Sequence, residues 1–312
     1  MSKLGLVGLV LSMGAGCFGN SIDLSTTRSL NDPWGAPGLE SPYMLGTRFT
    51  LEVSVDGPLE DYEVASLDSS IVQLNETAAG IELEAVGVGT TSVELYEDGE
   101  VLRTYVVTVT VPDELRLVTE RQDHFDTTLS QLETPVGSEL AVLAGEEVYL
   151  HVRYFDAGER IYGSSVLEAE TEMTASIPEW APQENVLALS AASPGTYPVT
   201  FRVGSLEETV DVHVAAEAVS LELSEPAEEV LITTTEDGNF AYGVIKADAR
   251  DADGRILRGT LPIRWTVNGE ALGEGTMLGI TSDEGVDAEV TASLGDLSAT
   301  LSTRGLAEYV AP

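Results

Sequence analysis

The feature that most constrains this chain is a period of two. Apolar residues alternate with polar ones at Phe49, Leu51, Val53 and Val55, at Val93 and Leu95, and at Val107, Val109 and Val111. The pattern returns at Val148, Leu150 and Val152, at Val199, Phe201 and Val203, and at Val210, Val212 and Val214. It continues through Val219, Leu221 and Leu223, through Val290, Ala292 and Leu294, and ends with Leu297, Ala299 and Leu301. Successive side chains of a strand point to opposite faces, so each run offers one face to a core and one to water. No stretch from residue 46 onward sustains a helical stripe. Short alternating strands separated by turn residues predict an all-β chain of sandwiches or barrels.

The strands recur as a unit. Three hairpins are written alike: 91–106 around Asp98-Gly99, 197–214 around Gly204-Ser205, and 289–301 around Gly295-Asp296. Each turn carries a glycine for the positive φ that a tight hairpin needs. Gly89, Gly195 and Gly285 stand before them. A second element repeats once, since Tyr154-Phe155-Asp156-Ala157-Gly158-Glu159-Arg160-Ile161-Tyr162-Gly163 parallels Ala249-Arg250-Asp251-Ala252-Asp253-Gly254-Arg255-Ile256-Leu257-Arg258-Gly259. These repeats divide the chain into domains at 46–112, 113–216 and 217–306, with a short tail over 307–312. The spacing is close to the ~100 residues of an immunoglobulin-like sandwich. The junctions near 112 and 216 are the expected sites of first proteolytic cleavage after the N-terminal segment.

Within the first domain, Val64-Ala65-Ser66-Leu67-Asp68-Ser69-Ser70-Ile71-Val72-Gln73-Leu74, followed by Ala85-Val86-Gly87-Val88-Gly89-Thr90, resembles the group 2 bacterial immunoglobulin-like domain. The second and third domains are similar to bacterial Ig-like modules with an Asp-x-x-Gly-Arg turn between early strands. The resemblance implies tandem immunoglobulin-like β-sandwiches, about three of them. It also implies a role as spacer, adhesive or polysaccharide-contacting unit on a bacterial surface, with no family active site and no inter-sheet disulfide. The chain's single cysteine agrees with the last point. Trp265 is expected inside the third sandwich.

That cysteine lies elsewhere. Lys3, the apolar run from Leu4 to Met13, and Gly14-Ala15-Gly16 before Cys17 make a secretory leader, too short to span a bilayer, which takes about 20 residues. The arrangement resembles the lipobox of bacterial lipoproteins, with Gly14 where leucine is usual. The resemblance implies cleavage after residue 16 and acylation of Cys17. By the same resemblance, Phe18 in place of an aspartate implies sorting to the outer membrane, with a periplasmic or secreted form as the alternative. Residues 17–45, with Asn31-Asp32-Pro33-Trp34-Gly35-Ala36-Pro37-Gly38 and Ser41-Pro42, read as a flexible tether.

Charge narrows the partners. Against 15 basic residues stand 53 acidic ones, a formal net charge of −38. That field repels phosphate backbones and excludes nucleic-acid binding. Histidines stand alone at His124, His151 and His213, which gives zinc no ligand spacing. His151 and His213 fall on the polar phase of their strands and are expected to be exposed. The run Asp248, Asp251, Asp253 and Gly254 fails as a calcium loop, because Ala249 and Thr260 occupy the first and twelfth positions. It reads instead as a capped turn. Calcium between domains, on Asp113, Glu114, Glu225, Glu228 and Glu229, is a weaker alternative to plain solvated linkers. Glu146-Glu147 and Glu228-Glu229 are adjacent and would point to opposite faces of a strand, poor geometry for hydrolysis. No nucleophile elbow, phosphate loop or dinucleotide fingerprint occurs. The sequence therefore predicts no catalytic residue, no metal and no cofactor. It predicts a lipid-anchored, non-enzymatic surface protein whose envelope protein or polysaccharide partner is unnamed. An accessory binding subunit holding its partner by a strand edge is the second reading, and a carbohydrate-active enzyme the third.

Overall fold

Two-residue turns commit this chain to its strand pairs. Asp98-Gly99, Ala157-Gly158 and Asn268-Gly269 each place two successive residues at positive φ, between 49° and 84°. That is the mirror-image turn whose twist matches antiparallel strands. Gly204 and Gly295, at 58° and 57°, stand first in the other two hairpin turns, a conformation glycine enters without steric cost.

The computed structural model describes residues 2–5, 23–26, 39–54, 62–77, 80–119, 134–163, 167–178, 186–224, 231–235, 238–281 and 287–304. Among these residues there are strands and no helix. The first set comprises β1 (Ser2–Gly5), β2 (Asp23–Thr26), β3 (Pro42–Met44), β4 (Arg48–Ser54), β5 (Tyr62–Ser66), β6 (Val72–Thr77), β7 (Gly80–Ala85), β8 (Gly89–Glu97) and β9 (Glu100–Thr110). They form two sheets, β2-β4-β7-β6 and β1-β5-β8-β9-β3. Without β1, this is the first-second-fifth-fourth and third-sixth-seventh strand order of the immunoglobulin sandwich. A short strand, β3, is added in parallel to the last one. Both sheets feed one core, with Leu83 and Ile81 from one and Val64, Val93, Leu95 and Val107 from the other.

The second set repeats the plan. Its strands are β10 (Glu114–Thr119), β11 (Thr134–Pro135), β12 (Glu139–Leu143), β13 (Glu147–Asp156), β14 (Glu159–Ile161), β15 (Glu168–Glu170), β16 (Thr174–Ser176), β17 (Val186–Ser190), β18 (Gly195–Val203) and β19 (Leu206–Ala215). One sheet runs β11-β10-β13-β17-β16, with β14 on β13, and the other runs β15-β18-β19-β12. Again a short strand, β12, lies parallel to the last strand, β19. Leu150, Val152, Leu189, Phe201 and Val212 fill the space between the sheets.

The third set comprises β20 (Ser220–Leu223), β21 (Leu231–Thr235), β22 (Gly238–Arg250), β23 (Leu257–Arg258), β24 (Arg264–Val267), β25 (Glu270–Glu274), β26 (Met277–Thr281), β27 (Asp287–Leu294) and β28 (Leu297–Arg304). Its sheets are β20-β22-β21, with β26 on β22, and β25-β24-β27-β28. Trp265 lies wholly inside, and its indole N–H donates to the Gly275 carbonyl at 2.7 Å.

Three expectations are corrected here. The tether does not extend over all of 17–45: β2 pairs with β4, and Leu39, Tyr43 and Met44 are buried. Three or four residues between breakers are too few to display a period, so the sequence hides these strands. The junctions are not linkers: the Asp113 amide donates to Phe155 O at 2.9 Å one residue before β10, and the Val219 amide donates to Arg250 O at 2.8 Å one residue before β20. His151, expected to be exposed, is buried at 4% exposure.

Candidate functional site at the sandwich junctions

Among the described residues, polar and apolar groups converge where one sandwich meets the next. β3 supplies the first junction. Its alternation sends Tyr43 into the first core and Met44 into the second, so one three-residue strand serves two sandwiches. Beyond the β13–β14 hairpin, the Tyr162 amide donates to Pro42 O at 2.9 Å and the Met44 amide donates to Tyr162 O at 2.8 Å, a parallel bridge between Tyr43 and Tyr162. Thr110 Oγ1 donates to Asp156 Oδ2 at 2.6 Å, and Arg116 stacks 3.8 Å above the Phe155 ring. Gly163, at φ 150°, leaves no room for a side chain, since a Cβ there would lie 2.0 Å from Thr47 Oγ1.

The second junction uses the same parts. β12 pairs in parallel with β23 of the third set, Ala141 opposite Leu257 and Val142 opposite Arg258. Leu140 and Val142 enter the second core, while Ala141 enters the third. The Thr260 amide donates to Glu147 O at 2.7 Å. Gly259, at φ 104°, sits so close that a Cβ would lie 2.2 Å from that same carbonyl. Behind both receiving strands stands a left-handed glycine, Gly46 at 87° and Gly145 at 85°. The segments that dock are 154–163 and 249–259, the pair whose likeness is visible in the sequence. The sequence shows the repetition and gives no sign of what the repeated segment touches.

Beside the second junction lies a cleft of about 280 Å³, walled by Thr119, Pro135, Glu139, Leu140 and Arg255 among others. Its chemistry is largely spent within the fold. Asp251 Oδ1 accepts from the amides of Asp253 and Arg255 at 3.0 and 2.8 Å, and Arg255 Nε donates to Oδ2 at 2.8 Å. Burial alone raises the Asp251 pKa, but the Arg255 guanidinium and the two amides outweigh it and hold the carboxyl below its usual value. Arg255 also pairs with Asp253. With Gly254 at φ 82°, this is the capped turn read from the sequence, and its carboxylates face an arginine.

The remaining candidates stand apart. Asp113 Oδ2 accepts from the Ala157 amide at 3.2 Å, and Glu114 takes two bonds from Arg116 at 2.6 and 2.9 Å. Glu225, Glu228, Glu229, His124 and Cys17 lie outside the described residues. No group of three or more His, Cys, Asp or Glu able to hold a metal ion occurs among the described residues. Glu147 accepts from Tyr149 Oη at 3.0 Å, and partial burial raises the Glu146 pKa. His213 Nδ1 is 2.9 Å from Thr196 Oγ1, and its side chain is 18% exposed.

His151 departs furthest from expectation. On β13, Leu150 and Val152 face the core, so His151 lies on the other side of the sheet, in register between Val118 and Val186. Both valines are also buried, so this outer face is covered and burial does not follow the strand's alternation. Burial, with Arg153 nearby, pushes the imidazole down to about 3 and keeps it neutral at physiological pH.

Strand orders, cores and junctions together define a tandem array of immunoglobulin-like β-sandwiches. No family model matches the chain, and no curated protein matches its sequence. Among solved structures it is similar to domains 4–9 of the surface layer protein SbsC, at 15% identity and TM-score 0.35, over 90% of this chain and 47% of that one. It is also similar to invasin, a bacterial integrin-binding protein, at 12% identity and TM-score 0.26, over 92% of this chain and 60% of that one. The adhesin FdeC of Escherichia coli matches at 13% identity and TM-score 0.25, over 85% of this chain and 94% of that one. The chain thus spans less than half the length of the SbsC fragment. The fold assignment rests on the strand orders above.

Proposed function

We propose that this chain is a non-enzymatic, lipid-anchored protein of the bacterial envelope whose three sandwiches act as a stiff spacer, carrying an adhesive or polysaccharide-contacting surface away from the membrane. The observation that carries the reading is the junction built twice from the same parts. A strand shared between two cores, bridged by backbone hydrogen bonds and closed by a glycine too crowded to substitute, resists bending where ordinary inter-domain contacts allow it. Stiffness of this kind serves reach and spacing. It serves no reaction, and the charged groups beside the second junction are consumed by one another.

The anchor is the part of the reading nearest the sequence. A lipoprotein Cys17 carrying two or more acyl chains would hold the membrane stably, where one chain binds only marginally. Cleavage after residue 16 would also remove β1 from the edge of β5. Detergent-phase partition of the native protein tests this: wild type should enter the detergent phase and Cys17→Ser the aqueous one. If both stay aqueous, the anchor is wrong and the spacer is a secreted one.

A further inference from the structure

The two junctions rest on the same backbone bonds, yet four positions beside those bonds differ in kind. At the first, the Leu45 amide donates to Thr110 O at 2.8 Å and the Gly46 amide to Ala85 O at 2.7 Å. At the second, the Ala144 amide donates to Ala215 O and the Gly145 amide to Ala191 O, both at 2.9 Å. Gly89 then opposes Val109 as Gly195 opposes Val214. These bonds match Leu45 with Ala144, Val86 with Ala192, Val88 with Pro194 and Val111 with Ala216. The four in the first sandwich are large and exposed, at 39%, 38%, 59% and 52%. Their counterparts are three alanines and a proline, so the junction can be built without large apolar side chains at these positions.

The four lie together. Leu45 is bonded to the residue before Val111, and Gly46 to the residue before Val86. The register of β8 and β9 sets Val88 beside Thr110. The 67–71 loop closes on the same end: the Val86 amide donates to Ile71 O at 2.9 Å, and a Cβ on Gly87 would lie 2.2 Å from Ser70 O. Across 45–47, 67–71, 86–88 and 111–113 there are two charged residues, Asp68 and Asp113, and no Lys or Arg. Both acids are exposed. The Asp68 carboxylate accepts from the Ser70 hydroxyl and amide at 2.6 and 2.9 Å, which holds its pKa below the usual value. Arg48 and Arg116, the next cations along the chain, are paired with Glu84 and Glu114.

We infer that this end of the first sandwich docks a partner protein through an aliphatic cluster edged by Lys or Arg. A contiguous exposed apolar patch marks a contact surface, and an apolar centre with a charged rim is the anatomy of a protein interface. The acidic rim calls for a basic one opposite. A net charge of −38 opposes a second copy of this chain, and the four loops offer no aromatic ring for a sugar to stack on. The inference names the surface and the partner class for the adhesive role proposed above and rests on that reading, though not on the stiffness of the array.

The test places the photo-crosslinker p-benzoylphenylalanine at position 88 of the full chain in the cells that make it, with position 270 labelled in a separate chain. Irradiation should join position 88 to one polypeptide, and the sequenced cross-linked peptide should be aliphatic with Lys or Arg at its flanks. Leu45→Ala, Val86→Ala and Val111→Ala together should cut the yield by roughly tenfold or more and leave urea unfolding nearly unchanged, since all three side chains are exposed. Asp68→Asn with Asp113→Asn, which keeps the acceptor oxygens, should lower it severalfold; this pair keeps the test sound if the alanine variant misfolds. An adduct of twice the chain's mass, an adduct to lipid or polysaccharide, or a yield indifferent to both sets of changes would overturn the inference. Protein adducts at position 270 with none at 88 would overturn this surface and leave the adhesive role standing, whereas none at either position would contradict both.

Discussion

Gly259→Ala should open the second junction while leaving each sandwich folded. The residue sits at φ 104°, where a side chain costs about 1–3 kcal/mol. A Cβ would also stand 2.2 Å from Glu147 O, so the two backbones must part by most of an ångström. That movement breaks the 2.7 Å bond from the Thr260 amide to Glu147 O and the 3.2 Å bond from Thr260 Oγ1 to the same atom, each contributing about 1 kcal/mol net. The total is about 3–5 kcal/mol. Local opening read by amide hydrogen exchange at Thr260 should therefore quicken by about 10²–10⁴-fold, with the far-ultraviolet circular dichroism unchanged. Gly254→Ala is the control, because its φ is 82° but nothing lies within 4 Å of the added Cβ. It should show only the conformational cost and leave Thr260 protected. If the two variants alter Thr260 exchange equally, or neither changes it by more than about threefold, the reasoning about the crowded glycine is wrong.

Other outcomes follow from single residues. Trp265→Ala should cost about 3–5 kcal/mol in urea unfolding, and Trp265→Phe about 1–3 kcal/mol through the carbonyl of Gly275 left unpaired. For His151, a base with its pKa lowered from 6.5 to about 3, the unfolded chain binds a proton in that window that the folded chain refuses. Its stabilising contribution is complete above pH 6.5 and declines as pH falls toward 3, by at most ~1.4 kcal/mol per unit. His151→Gln should flatten that slope between pH 6.5 and 5, and an unchanged slope would contradict the burial argument.

Legibility in the sequence follows the range of each interaction. Strands such as β13 and β19 are readable because six or more alternating residues declare a face, and the hairpins because Asp98-Gly99 and Gly295-Asp296 carry their own turn chemistry. β3 is not, since Pro42, Tyr43 and Met44 have no room for a period. The pairing of Ala141 with Leu257 crosses more than a hundred residues in parallel, and no local signal encodes such a contact. The likeness of 154–163 to 249–259 is legible as repetition, and only the fold shows that both segments dock on the preceding sandwich. His151 misleads because alternation reports which face of a strand looks inward, and says nothing about what covers the other face.

The central claim is that the sandwiches are held stiffly by their junctions, and a distance distribution tests it most directly. Spin labels at Glu100→Cys and Glu270→Cys, both exposed positions, in a Cys17→Ser background would span the two junctions. Pulsed electron resonance should give one narrow distance in the otherwise unaltered chain and a broad distribution once Gly163→Ala and Gly259→Ala are added. A broad distribution already present before those substitutions, and unchanged by them, would contradict the account.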